Sequence, residues 1–329
     1  MISHYQSNLE NFLHWANTTP NNLYLRQPHG DQYIDYSYSA AAVEVKKIAH
    51  FLQRHLTEES KNVGIVAKNS AYWMMADLAI AAAGGISVPF YATLTKDQLH
   101  QVLVHSECSI LIIGKLDHWD KIKEAIPEHV LVIHTPESSE KSGHQWTEIL
   151  KTENEITNFH QPKPEDIATI VYTSGTTGMP KGVMITYGGI EAGINMAREI
   201  ALLDQPSTRF ISYLPLCHIA ERNFVEFAGT AAGGTIYFVE NLDTFAKNLA
   251  TARPTHFLAV PRIWAKFQEG ILHKIGGQKK LDLFLRIPVL KNIIQKKIQK
   301  GLGLDCTKLA VTGAAPISEE RSEERRVGK

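Results

Sequence analysis

An α/β fold with largely parallel sheets is predicted by three observations. Short apolar, β-rich runs alternate with helical segments over residues 39–113 and again over 167–312. Some runs are apolar without interruption, ILIIG at 110–114 being the clearest, as in strands buried on both faces. No self-similarity at a period of about 20–50 residues points instead to a repeat array.

The elements follow in order. Val43, the stem of Lys46, Ile48, Phe51, Leu52 and Leu56 recur near the helical period of about 3.6 residues, which predicts an amphipathic helix over 39–56. A strand is expected at 62–67. Ser70 reads as the N-cap of a helix to about Ala83, and the Gly84-Gly85 pair stops it. A strand at 86–90, a helix at 96–105 and a strand at 109–113 complete this set of βαβ units. Residues 134–166 are polar and carry Pro136, Pro162 and Pro164, so they are expected to form a surface connection or a subdomain boundary. The alternation then restarts with strands at 167–173 and 183–186 and a helix at 188–201. A strand at 209–214, a helix at 219–231, a strand at 235–239 and a helix at 245–252 come next. The last elements are a strand at 255–260, a helix at 261–275 opened by Pro261, and a strand at 308–312.

Composition narrows the function. The chain has 329 residues, 44% of them apolar, enough for a large core without disulfide or metal staples. Its length suggests roughly two domains. Lys plus Arg and Asp plus Glu both number 34, so the basic excess of a general nucleic-acid binder is missing and no nucleic-acid partner is expected. Cys108, Cys217 and Cys306 are odd in number and far apart, which argues against a disulfide framework or zinc site and for a reducing compartment; all three are expected to be small core residues. The N-terminal segment lacks a basic stretch followed by an apolar one, as a signal peptide would have. The longest uncharged apolar stretch, 78–91, is broken by Gly84, Gly85 and Pro89 and falls short of the roughly 20 residues a bilayer span needs. A cytoplasmic protein is therefore expected.

The chemistry-bearing segment is YTSGTTGMPKG at 172–182. It follows the apolar run IATIVY and holds the hydroxyl residues Thr173, Ser174, Thr176 and Thr177, glycines 175, 178 and 182, and Lys181. Glycine lets backbone N–H groups approach an anion, the hydroxyls add short donors, and Lys181 adds a point charge; together they suit a polyphosphate. A Ser/Gly linker is the plainer alternative, but linkers rarely follow a buried strand directly. The segment is not a Walker A loop, because proline precedes Lys181 and glycine follows it. The GxGxxG dinucleotide pattern is absent as well.

This loop resembles the signature of the adenylate-forming superfamily, which includes acyl-CoA synthetases, luciferases and the adenylation domains of peptide synthetases. YLPLCHIAER at 213–222 resembles a second segment of that family. VPRIWAKF at 260–267, TGAAPIS at 312–318 and the intervening KKLDLFLRIPVLKNIIQKKIQKGLGL are most similar to the long-chain fatty acyl-CoA ligase branch. The resemblance implies an AMP-binding N-terminal domain over about 10–320, incomplete, built of two stacked αβ subdomains with an approximate break at 134–166. It implies conversion of a long-chain fatty acid and ATP into an acyl adenylate, then transfer to coenzyme A, with Mg²⁺ as cofactor. Adenylation of an aryl or amino acid, or a non-catalytic nucleotide- or acyl-binding role, are the alternatives. By resemblance, Thr173, Ser174, Gly175, Thr176, Thr177, Gly178 and Lys181 would hold the β- and γ-phosphates. His218 would stand near the carboxylate and acyl entrance, and Gly313, Ala314, Ala315 and Pro316 would pack on adenine. Gly193, Phe224, Phe227 and Ala228 fall on helices expected near the acyl tunnel, though plain core is the simpler reading for them. Glu221 and Arg222 read as an internal pair ordering the helix that follows, not as catalytic groups.

Two further expectations concern the end of the chain. Residues 273–300 hold eight Lys/Arg and one acidic residue among aliphatic side chains, which reads either as a surface for anionic lipid or as a solvated basic hairpin. The final RSEERRVGK at 321–329 departs from the family pattern and could be translated from a sequencing adapter; the family's C-terminal, lysine-bearing domain does not follow, so this chain by itself is expected to be inactive.

Overall fold

Ser7 and Glu10 form a capping box that starts the first helix: the Ser7 hydroxyl accepts from the Glu10 N–H, and the Glu10 carboxylate accepts from the Ser7 N–H. The computed structural model describes residues 7–173, 180–201, 203 and 207–313. From this cap the chain runs through α1 (Asn8–Thr18), β1 (Leu23–His29), β2 (Gln32–Ser37), α2 (Tyr38–His55), β3 (Asn62–Val66), α3 (Ala71–Ala83) and β4 (Ile86–Phe90). It continues through α4 (Lys96–Ser106), β5 (Ile110–Ile113), α5 (Trp119–Ile122), β6 (Leu131–His134), β7 (His144–Gln145), α6 (Trp146–Thr152), β8 (Ile167–Thr173) and β9 (Lys181–Thr186). Next come α7 (Tyr187–Ala201), β10 (Arg209–Ser212), α8 (Ile219–Glu221), a π-helical turn (Arg222–Phe227), α9 (Ala228–Ala231), β11 (Thr235–Phe238) and α10 (Phe245–Ala252). The last elements are β12 (His256–Ala259), α11 (Pro261–Ile275), α12 (Gln278–Arg286), α13 (Pro288–Leu302) and β13 (Leu309–Thr312).

Two main sheets share one core. The larger has seven strands in the order β7-β6-β5-β3-β4-β8-β9, all parallel except the β8–β9 pair. The smaller has the order β10-β11-β1-β2, with only β1–β2 antiparallel, and β12–β13 form a parallel pair beside it. Side chains from both main sheets, Ile65, Ile110 and Ile133 of the first and Leu25, Phe210 and Ile236 of the second, belong to one buried cluster with α1, α2 and α3. Helix α3 is buried nearly all round, as expected of a helix enclosed by the core. Helix α4 covers the opposite face of the larger sheet through Leu99, Val102 and Leu103.

The α/β prediction and the parallel order hold. Ser70 does cap α3, its hydroxyl accepting from the Trp73 N–H, and Gly84 ends that helix at φ 82°, a left-handed conformation that glycine adopts without strain. Four local differences stand out. First, α1, β1 and β2 are not apparent as periodic runs, because β1 places Gln27 and Pro28 at buried positions beside a half-buried Arg26. Second, the polar stretch 134–166 contains β7 and α6, seated by buried Trp146 and Ile149, and it delivers β8 next to β4, so the larger sheet continues across it. Third, the strand expected to end at 214 stops at Ser212, because side chains and not a ladder bind the Tyr213 N–H and the Leu214 carbonyl. Fourth, Cys108 and Cys217 are buried but Cys306 is only half-buried.

The helix expected at 219–231 is three segments around a buried cation. Glu221 and Arg222 do not pair with each other, since adjacent helical residues point to different faces. The Arg222 guanidinium pairs instead with Asp77 of α3 at 2.7 Å and with Glu226, four residues on, at 2.8 Å. It also donates to Thr169 Oγ1 of β8 at 2.7 Å, and Thr169 donates to the Ser87 carbonyl of β4. The Trp73 and Phe227 rings stack against it. Two carboxyls face one guanidinium here, and burial holds Glu226 well above the usual carboxylate pKa. Arg222→Met is expected to cost about 3–5 kcal/mol in urea unfolding by stranding Asp77. Adding Asp77→Asn should restore much of that loss, and a single-variant loss under about 1 kcal/mol would show that the cluster does not hold these elements together.

Candidate active site

Thr173, at the end of β8, is the cross-strand partner of Lys181, at the start of β9, and both side chains are exposed. The segment between them therefore joins the two arms of an antiparallel pair, whatever path it takes. Gly182 permits the close pairing: a Cβ there would come within 2.7 Å of Ile170 Cγ2 and 3.4 Å of the Tyr172 ring. Ser87 and Thr169 are partners across β4 and β8, which sets Phe90 level with Tyr172, and their rings lie 5.8 Å apart. The turn that follows β4 thus lies beside the mouth of the β8–β9 hairpin.

That turn borders a cleft of about 470 Å³ between the two main sheets. Asn69, Tyr91 and Thr93 line one side; Tyr213, Leu216, Cys217 and Leu242 line the other. The position agrees with the rule that open α/β sheets bind ligands outside the carboxyl ends of their strands. A second groove, along α5, β6 and β7, contains none of the candidate residues.

The 213–217 wall is held from both sheets. The Asn69 amide donates to Ser212 Oγ at 2.8 Å and to the Leu214 carbonyl at 2.6 Å, and its oxygen accepts from the Leu216 N–H at 3.0 Å. Glu221 accepts from the Tyr213 N–H at 2.8 Å, and the Tyr213 hydroxyl donates to the Leu258 carbonyl of β12. Burial pushes the Glu221 carboxyl up to about 8. It also pushes the Cys217 thiol up to about 12, so Cys217 is an unreactive lining group.

His218 is exposed directly after Cys217. It caps α8 by accepting from the Ala220 N–H at Nδ1, 3.2 Å away. Neutral imidazole that accepts at Nδ1 carries its proton on Nε2. Gly313 follows β13, which runs beside β12 with Thr312 opposite Ala259. Among the described residues, a Cβ on Gly313 would meet nothing within 4 Å.

Of the predicted site residues, Thr173, Lys181, His218 and Gly313 are therefore located, the first three by the cleft or the strand ends that flank it. Ser174, Gly175, Thr176, Thr177, Gly178, Ala314, Ala315 and Pro316 lie outside the described residues. Sequence reasoning missed Asn69 and the binding of Tyr213 by Glu221. The Asn69 signal was faint: an Asn between a predicted strand end and the Ser70 cap.

Comparison with known proteins agrees with this architecture. A model of the AMP-binding enzyme family matches residues 12–327. The long-chain-fatty-acid–CoA ligase ACSBG2 of Xenopus laevis is 29% identical over 344 residues, covering 91% of this chain and 46% of that protein. The peroxisomal long chain acyl-CoA synthetase 7 of Arabidopsis thaliana is 33% identical over 297 residues, covering 84% of this chain and 42% of that protein. The chain thus spans about half the length of the curated relatives it matches. Among solved structures, the adenylation domain of a carboxylate reductase from Mycobacterium chelonae superposes with a TM-score of 0.78 at 16% identity, covering 98% of this chain and 56% of that one. A fatty acyl-adenylate ligase from L. pneumophila, solved with acyl adenylate and pyrophosphate, gives 0.68 at 20% identity, covering 96% and 51%. These structures share its fold.

The Glu221 carboxyl supplies a test of the cleft wall. Its folded pKa of about 8 lies above its unfolded value of 4.5, so between these pH values the native state holds a proton that the unfolded state has lost. Stability should therefore fall as pH rises through that window, by at most about 1.4 kcal/mol per pH unit, and level off above it. Glu221→Gln is expected to flatten this slope in melting curves taken from pH 5 to 9. An unchanged slope would mean that Glu221 does not carry the proton.

Proposed function

Because the chain belongs to the AMP-binding enzyme family, we propose that its protein activates a long-chain fatty acid with ATP, forming an acyl adenylate and pyrophosphate, and then passes the acyl group to the thiol of coenzyme A. The observation that carries this reading is the position of the β8–β9 hairpin mouth, with its exposed Lys181, beside a cleft between two sheets. The names of the relatives at 29% and 33% identity direct the choice of acid toward long-chain fatty acids.

Each residue then has a physical task. The fatty carboxylate attacks the α-phosphorus of ATP, and negative charge builds on the departing pyrophosphate. Lys181 and the hydroxyl and backbone donors of residues 173–178 would stabilise that charge as it develops. Mg²⁺ is the metal that the family resemblance implies for this reaction. That ion, when bound, neutralises charge on the polyphosphate. The Nε2–H of His218 would orient the fatty carboxylate, and Gly313, Ala314, Ala315 and Pro316 would pack on the flat adenine, as the family resemblance implies. The solved adenylation domains with the same fold keep a second reading in view, activation of a different carboxylic acid.

ATP–pyrophosphate exchange in the complete protein tests the proposal. Palmitate-like acids should support exchange at least ten-fold faster than aryl acids or amino acids. Lys181→Ala should slow exchange by roughly a hundred-fold or more, the scale of losing one preorganised transition-state donor. Its melting temperature should barely move, since an exposed lysine contributes little to folding. Equal exchange by the variant would remove Lys181 from the chemistry, and faster exchange with aryl acids would replace the fatty acid as substrate.

A further inference from the structure

Helices α12 and α13 contain no buried residue. They form a hairpin on the outside of the molecule, entered through Gly276 and Gly277, both at positive φ, and closed by Gly303 at φ 73°. Its surface combines two properties that rarely coincide on a solvated hairpin. Lys279, Lys280, Arg286, Lys291, Lys296, Lys297 and Lys300 are all exposed against a single acid, Asp282. None of these seven cations is held in an ion pair among the described residues. Between them, large aliphatic side chains face solvent: Leu283 is 58% exposed, Val289 69% and Ile293 56%, with Ile287 and Leu290 also open.

We propose that this hairpin is a docking surface for the anionic face of a lipid bilayer, with the aliphatic side chains entering the acyl boundary and the lysines lying against phosphate headgroups. The charge is complementary, and the exposed aliphatic area supplies what headgroup attraction alone cannot. A nucleic acid would use the same lysines but gains nothing from Val289 or Ile293. Its bases stack on exposed aromatic rings, whereas the one aromatic residue of the hairpin, Phe284, is half-buried. No helix among the described residues is long and apolar enough to cross a membrane, so the contact is peripheral. The inference rests on these side chains and is independent of the reaction proposed above.

Vesicle co-sedimentation of the whole chain tests it. Binding to vesicles of phosphatidylcholine with about one-third phosphatidylserine should exceed binding to pure phosphatidylcholine by at least ten-fold. It should fall at least ten-fold between about 0.1 and 1 M salt, as the Debye length shrinks from about 10 to 3 Å. Lys291→Gln, Lys296→Gln and Lys297→Gln together should weaken binding about a hundred-fold, near a factor of five per lysine. Val289→Ser with Ile293→Ser should also weaken vesicle binding, yet leave any binding to heparin unchanged; unchanged melting temperatures will show that both variants fold. Equal binding to neutral and anionic vesicles, no binding at all, or a loss confined to the lysine variant and matched by heparin would each overturn the proposal.

Discussion

One buried guanidinium connects the parts of this molecule on which the cleft depends. Arg222 reaches Asp77 in α3, Thr169 in β8 and Glu226 in its own helical segment, and packs between two aromatic rings. Placing a full charge in the core is costly, and only a set of partners this complete makes it tolerable. Arginine suits the task better than lysine, because its planar fork can serve several acceptors at once while remaining charged. The geometry also explains the π-helical turn. With Arg222 held toward Asp77 and Thr169, the turn widens so that Phe227 can cover it, and π turns commonly occur where a local demand overrides helical regularity.

From this anchor the cleft wall follows. Glu221, adjacent in sequence but on another face of the helix, fixes the Tyr213 N–H, and Asn69 fixes Ser212, Leu214 and Leu216 from the opposite sheet. A short backbone segment is thereby bound by the side chains of Asn69 and Glu221 instead of by a ladder. The arrangement holds one wall of the cleft in place without extending β10 into it. His218 stands at the surface as the cap of α8, its Nδ1 accepting from the Ala220 N–H.

The outer elements follow a different rule. Around the core, α1 to α3 and both main sheets bury their aliphatic side chains in a common cluster, while α12 and α13 leave theirs exposed among lysines. The net charge of zero therefore hides a separation of charge along the chain, with one basic hairpin balanced by acids elsewhere. An average over composition cannot register such a patch, and only the local pattern at 273–300 indicated it.

Local sequence determined most strands and helices and the parallel order, because each rests on short-range signals: continuous apolar runs, an N-capping Ser70, a stop at Gly84, a proline at position 261. The same information left β1, β2, β7 and α6 unread, since a few buried side chains such as Trp146 seat them among polar neighbours and no period marks them. The partners of Arg222, the grip of Asn69 on the Tyr213 segment and the location of the cleft were decided only by tertiary structure. Asn69 and Leu214 are 145 residues apart, and Arg222 and Thr169 are 53 apart. Contacts at such separation form because the crossing chain has already brought two sheets together, and nothing in the neighbouring residues of either partner encodes the other.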